Sequence, residues 1–289
     1  MILFHSHNHS RCRELWAVLD AAGISASIDE RGGTCFLHIA EADLERAVEE
    51  LNDYRQELSQ VRKEPPPLVA LPGGWLGMLG YGAILVTVAG LADSDAFGID
   101  WLAAGSAQAG SMLNGQAWRA VTALTLHLDA AHLMGNLFFG SVLGFLGSQG
   151  LGGGLAWLAI VAGGSLGNLV NAWIRTADHS AVGASTSVFA ALGLLVALSL
   201  HQRRGEAAGA FRRWSPLVAG VLLLAWTGIG GERTDVLAHV TGLASGVLLG
   251  ASCGFLPIAL LERRAVQGLA AAGAVLIPTL AWVWALLSS

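Results

Sequence analysis

The chain has 289 residues, enough for one large or two small soluble domains, yet only 13% are charged and the mean hydropathy is +0.57. Soluble proteins carry about 25% charge, and here 19 of the 37 charged side chains fall in residues 1–67, so a small soluble domain precedes a polytopic membrane domain. A net charge of −5 gives no basic footprint for nucleic acid, and Cys12, Cys35 and Cys253 share no metal-ligand spacing and make no disulfide framework.

The first residues lack a basic stretch followed by an apolar one, so no secretory signal is read there and the leading domain is expected in the cytosol. Residues 1–60 read as β-α-β-β-α, a small α+β domain. Residues 1–4 form a short apolar run. Ser10 is placed to cap a helix whose Leu15, Val18, Leu19 and Ala22 share one face, with Gly23 at its end. Residues 24–28 alternate, Arg31-Gly32-Gly33 turns, and residues 34–39 return as a hairpin. An acidic amphipathic helix is expected over 41–58. His5, His7 and His9 would share a face in an extended segment, but a metal site needs further ligands and a closed geometry, so a solvated turn is the reading preferred. Residues 61–67, ending in three prolines, read as an extended linker.

The membrane domain is expected over 68–289. Apolar stretches at 68–92, 130–148, 152–174, 185–201, 215–230, 236–256 and 266–287 give seven spans by the length a bilayer demands, with 94–128 as a long, Trp-containing, partly polar loop. Orientation follows from basic residues. With the N-terminus inside, Arg62, Lys63, Arg203, Arg204, Arg212, Arg213, Arg263 and Arg264 flank the inner face, against Arg119, Arg175 and Arg233 outside. The C-terminus is then outside.

Polar side chains inside spans are costly and mark function or packing. His127, His132 and Asn136 start the second span. Asn168 and Asn171 end the third, Gly183-Ala-Ser-Thr186 opens the fourth, and His239 with Gly242 and Gly246 begins the sixth. These starts lie at the outer face, so His132, Ser185 and His239 share one depth. A serine, a histidine and further donors at one level are what acyl transfer needs. Each has a plainer reading: a membrane serine bonds its own backbone, and a Gly-xxx-Gly pair is a packing face.

Trp118-Arg119, His127, His132-xxx-Asn136, Gly183-Ala-Ser185 and Ala238-His239-xx-Gly242-xxx-Gly246 together resemble the rhomboid family of intramembrane serine proteases. The likeness covers about residues 70–256, and the leading domain is similar to the small cytoplasmic domain of some bacterial members. The resemblance implies a rhomboid-like helical bundle with a seventh C-terminal helix. It implies Ser185 as nucleophile and His239 as base, with His132, Asn136 and the Ser185 N–H holding the oxyanion. Gly183, Phe189, Gly242 and Gly246 would support the site, and Gly242 and Gly246 would let the sixth helix approach closely enough for a direct Ser185–His239 hydrogen bond. No metal or cofactor is implied. Three departures stand out. Thr186 replaces a common glycine beside the nucleophile, Phe189 stands where a tyrosine often stacks on the histidine, and Ala123 replaces a histidine of some members.

Two groups near the site are read as bystanders: Asp235, four residues before His239, as solvated, and His179 as surface-exposed. Other proteases fit less well. There is no His-Glu-x-x-His, no second intramembrane acid beside Asp129, and Ser187 breaks the Gly-x-Ser-x-Gly elbow. The expected function is an endopeptidase that cleaves single-span membrane proteins near the outer face of a bilayer, a bacterial inner membrane by its topology. The alternatives are a catalytically silent relative that binds or escorts transmembrane clients, and a transporter, which would show mid-membrane charge or paired repeats.

Overall fold

The computed structural model describes residues 1–61, 71–202, 218 and 235–288. The chain divides into two compact units, Met1–Leu68 and Val69–Ser289.

In the first unit β1 (Ile2–Ser6), α1 (His9–Ala21), β2 (Ala26–Arg31), β3 (Thr34–Ile39) and α2 (Leu44–Val61) follow in the order read from the sequence. The sheet is antiparallel with β3 in the centre, order β1-β3-β2. Gly32 and Gly33 both take positive φ between the paired Arg31 and Thr34. That is the two-residue hairpin turn whose backbone twist suits the flanking strands. Alternation puts Cys35, Leu37 and Ile39 of β3 on the buried side, where Cys12, Leu15 and Leu19 of α1 and Ala47 and Leu51 of α2 cover them. The helix cap differs from expectation. Asn8, not Ser10, caps α1 by accepting from the Arg11 N–H at 3.2 Å, because the helix starts at His9. The histidines diverge: His5 lies over Phe36, His7 meets Thr34, and His9 meets Glu30.

In the second unit α3 (Gly74–Asp93) leads into a region that the sequence reads as loop. It holds short helices α4 (Trp101–Gly105), α5 (Ala109–Leu113) and α6 (Arg119–Thr122), and a strand β4 (Ala107–Gln108). Helices of four or five residues are too short to show a 3.6-residue period. After them come α7 (Ala130–Leu151), α8 (Gly153–Ile174), strand β5 (Ser180–Ala181), α9 (Ser185–Gln202), α10 (Val236–Cys253), α11 (Ile258–Leu261) and α12 (Arg264–Ser288).

Among the described residues five helices, α3, α7, α8, α10 and α12, are long and apolar enough to cross a membrane, and α9 carries a shorter apolar stretch. The expected span at 215–230 lies outside the described residues. Such helices satisfy their own backbone hydrogen bonds, which a bilayer demands. Large apolar side chains such as Phe138, Trp173, Leu269 and Leu287 face outward. The interior is built around α9, whose Val188, Phe189, Ala191, Leu192 and Leu194 join Trp157 and Ile160 of α8 in the main core.

Candidate active site

Three helices begin at the site. His132 is the third residue of α7, Ser185 the first of α9 and His239 the fourth of α10. All three line one cavity of about 1310 Å³, together with Asn136, Gly183 and Phe189.

Backbone contact between α9 and α10 makes this convergence possible. A Cβ at Gly242 would collide with the Thr186 carbonyl, one at Gly246 with the Ala190 carbonyl, and one at Gly250 with Leu194. Glycines one turn apart thus let the two helices touch along three turns. The Thr186 methyl occupies the space facing Gly167 and Gly242, so this departure fills a seam between three helices. The Phe189 ring stacks on His239 with centroids 4.3 Å apart and an interplanar angle of 29°. It needs no hydroxyl for that.

Gly183 takes φ +129, a conformation that side chains disfavour, and the His132 ring lies where a Cβ would stand, 2.6 Å from that position. The Asn136 amide nitrogen is 3.7 Å from the same point. Among the described residues its donor is buried with no hydrogen-bond partner, as is the His239 Nδ1. Tyr81 of α3 donates to the Asn136 main-chain carbonyl at 2.8 Å, tying that turn of α7 in place. The Gly183 N–H donates to the Ala123 carbonyl at 2.9 Å, so Ala123 contributes its backbone where a histidine side chain is absent. The first turn of α9 directs free N–H groups and the positive dipole end to the point where Ser185 sits. Among the described residues no hydrogen bond joins Ser185 to His239, contrary to the direct bond expected. Catalytic hydrogen bonds are commonly loose before substrate binds.

Residues 114–254 match the family model for the Rhomboid domain. The chain carries a rhomboid domain. No curated protein matches the chain. The matched stretch of the rhomboid domain contains Ser185, His239, His132, Asn136, Gly183, Phe189, Gly242 and Gly246, and leaves out α3, α12 and the first unit. With five helices of membrane-spanning length among the described residues, three of them inside the matched stretch, the chain is an integral membrane protein. Among the described residues no group of three or more His, Cys, Asp or Glu is disposed to hold a metal ion.

Two readings of the rhomboid domain's rim need correction. Asp235 is not solvated: its side chain is 13% exposed. One oxygen accepts from Arg175 at 2.6 Å and from the Ala238 N–H at 3.2 Å, the other from Asn171 at 2.7 Å. His179 is not a surface group: it meets that second oxygen at 2.7 Å. The sequence gives no hint of this, because the partners lie some 60 residues away. The pairing of β4 with β5, Ala107 opposite Ala181, is equally hidden there. Arg119 knits the same rim by donating to the Ala103 and Ser106 carbonyls, both at 2.9 Å.

Proposed function

We propose that the chain is an intramembrane serine endopeptidase that cleaves single-span membrane proteins. The observation that carries this reading is one cavity shared by Ser185 at a helix N-terminus, the stacked His239 and the buried, unpartnered Asn136 donor. Ser185 Oγ attacks the peptide carbonyl carbon while His239 Nε2 takes its proton. The carbonyl oxygen becomes an oxyanion held by Asn136 Nδ2, His132 and the Ser185 N–H. Collapse breaks the C–N bond, and His239 returns the proton to the leaving amine. Water, activated by the same histidine, then frees the acyl group and restores Ser185. All of these atoms belong to the chain and water, so the reading calls on no cofactor.

Peptide hydrolysis within a bilayer requires water. The cavity supplies a route through its polar rim of Asp235, Arg175 and His179. In this reading, which the bias of basic residues supports, the first unit faces the cytosol and this rim the outer side of a plasma membrane of bacterial type. The second reading, a silent client-binding protein, draws on the absence among the described residues of a Ser185–His239 hydrogen bond, which a substrate-free protease also allows.

A fluorophosphonate probe on detergent-solubilised protein separates the two. Labelling of wild type that is lost in both Ser185→Ala and His239→Ala is the expected result. Labelling unchanged in Ser185→Ala moves the reactive serine elsewhere. No labelling of folded wild type, in detergent and in lipid, favours the client-binding protein.

A further inference from the structure

In a Ser-His-Asp triad a carboxylate hydrogen-bonds the histidine ring and fixes its orientation. Asp235 does not do this. It caps α10 one turn before His239, its carboxylate bonds the Ala238 N–H rather than the ring, and among the described residues the His239 Nδ1 has no partner. The ring is held by its stacking on Phe189 and by the position of the first turn of α10. Whatever fixes that turn therefore sets the distance from His239 to Ser185.

Asp235 joins that turn to three other places. Asn171 ties it to the last turn of α8, and Arg175 to the residue after α8. His179 ties it to the loop that leads through β5 and Gly183 into Ser185. The same loop is fixed on its far side, where the Ala109 N–H donates to the His179 carbonyl and the Gly110 N–H to the Ala177 carbonyl, both at 2.9 Å. His179 therefore links the start of α5 through its backbone to the start of α10 through its ring. The helix bearing the base and the loop bearing the nucleophile meet at one carboxylate.

Resting on the Ser185–His239 reading, we infer that Asp235 is a positioning residue, which sets the reactive geometry through the ends of α8, α10 and the 175–183 loop and not through the histidine ring. Arg175, Asn171 and His179 are its partners in this. Displacing reacting groups by an ångström costs about a hundredfold in rate, and substrate contacts elsewhere in the cavity are left alone. The effect belongs in kcat.

The test measures fluorophosphonate labelling rate, and kcat and KM on a single-span reporter in proteoliposomes, for wild type, Asp235→Ala, Asp235→Asn and Arg175→Gln. The inference expects Asp235→Ala to lower labelling and kcat about a hundredfold with KM unchanged. Asp235→Asn should recover most of this, because asparagine caps a helix as well as aspartate and keeps an acceptor for Arg175. Arg175→Gln should fall between, and it decides the matter if Asp235→Ala does not fold. Wild-type kcat in both Asp235→Ala and Arg175→Gln overturns the inference, as does a loss confined to KM. An Asp235→Asn variant as poor as Asp235→Ala also overturns it, in favour of the charge acting on His239. A wild type that is never labelled removes the Ser185–His239 reading itself, a result distinct from all of these.

Discussion

The His127 imidazole is enclosed, edge-on to His132 at 5.1 Å. Burial, joined by the neighbouring His132 ring, pushes it down to about 4 from an ordinary 6.5. It is neutral at pH 7. As pH falls from 6.5 towards 4 the unfolded chain takes up a proton there that the folded chain refuses, so stability is full above that window and is lost within it. Thermal unfolding in detergent should show Tm falling between pH 7 and 4, and His127→Phe should flatten the fall, since phenylalanine fills the site and takes up no proton. An unchanged slope in that variant assigns the effect to another group. Asp235 has the same sign at lower pH. Burial would raise its carboxyl, but Arg175, Asn171, His179 and the Ala238 N–H outweigh it and bring it down to about 2. Its contribution is present above the ordinary 3.8 and lost only as pH drops through about 2, below the His127 window. Single residues with a local motif around them, such as Gly183-Ala-Ser185, are legible in the sequence. Asp235 is not, because a helix end looks solvated until its distant partners are seen.

Among the elements, α12 lies outside the matched domain yet is built into the unit. Trp282 lies against Trp101 of α4 with centroids 4.8 Å apart and donates to the Thr125 hydroxyl at 2.9 Å, and Trp284 meets Trp118 at 5.1 Å. Near its other end Gln267 donates to the Leu151 and Leu261 carbonyls, both at 2.8 Å, and accepts from the Leu155 N–H at 3.2 Å. The helix thus braces the segment that runs into His127 and His132. Removing a buried tryptophan side chain costs about 3–5 kcal/mol, whereas a phenylalanine keeps the ring contact and forgoes one hydrogen bond, about 1 kcal/mol. Unfolding experiments are expected to rank wild type above Trp282→Phe and Trp282→Ala well below both. Equal stability of all three would show that α12 is a passive neighbour. Hydropathy finds this helix, but not its brace, because aromatic pairing between residues 101 and 282 leaves no trace in local periodicity.

At the scale of the molecule, each unit has its own core: Leu15, Leu19, Leu37, Ile39 and Leu51 in the first, and the α8–α9 core in the second. Residues 1–61 expressed alone should therefore unfold cooperatively, though a domain of about 60 residues buries little surface and is of modest stability. Residues 69–289 alone should keep fluorophosphonate labelling at Ser185. A non-cooperative first unit, or a second unit that cannot be labelled while the full chain can, would show that the two depend on each other.

The sequence by itself determined the features that local composition and spacing control. Charge density separated the first unit from the membrane unit, apolar runs located the five membrane-length helices and α9, and alternation with Gly32-Gly33 located the hairpin. Histidine, serine and glycine motifs at helix starts located the candidate site. Only the tertiary structure decided which helix ends meet, since contact between residues about 50 to 180 positions apart is set by packing. It placed Phe189 on His239, aimed the unpartnered Asn136 donor beside Gly183, broke the 94–128 loop into short helices, and brought Asn171, Arg175 and His179 to Asp235. Asn171, Arg175 and His179 are polar and at least partly buried, and the carboxylate they share stands on an element distant in the sequence.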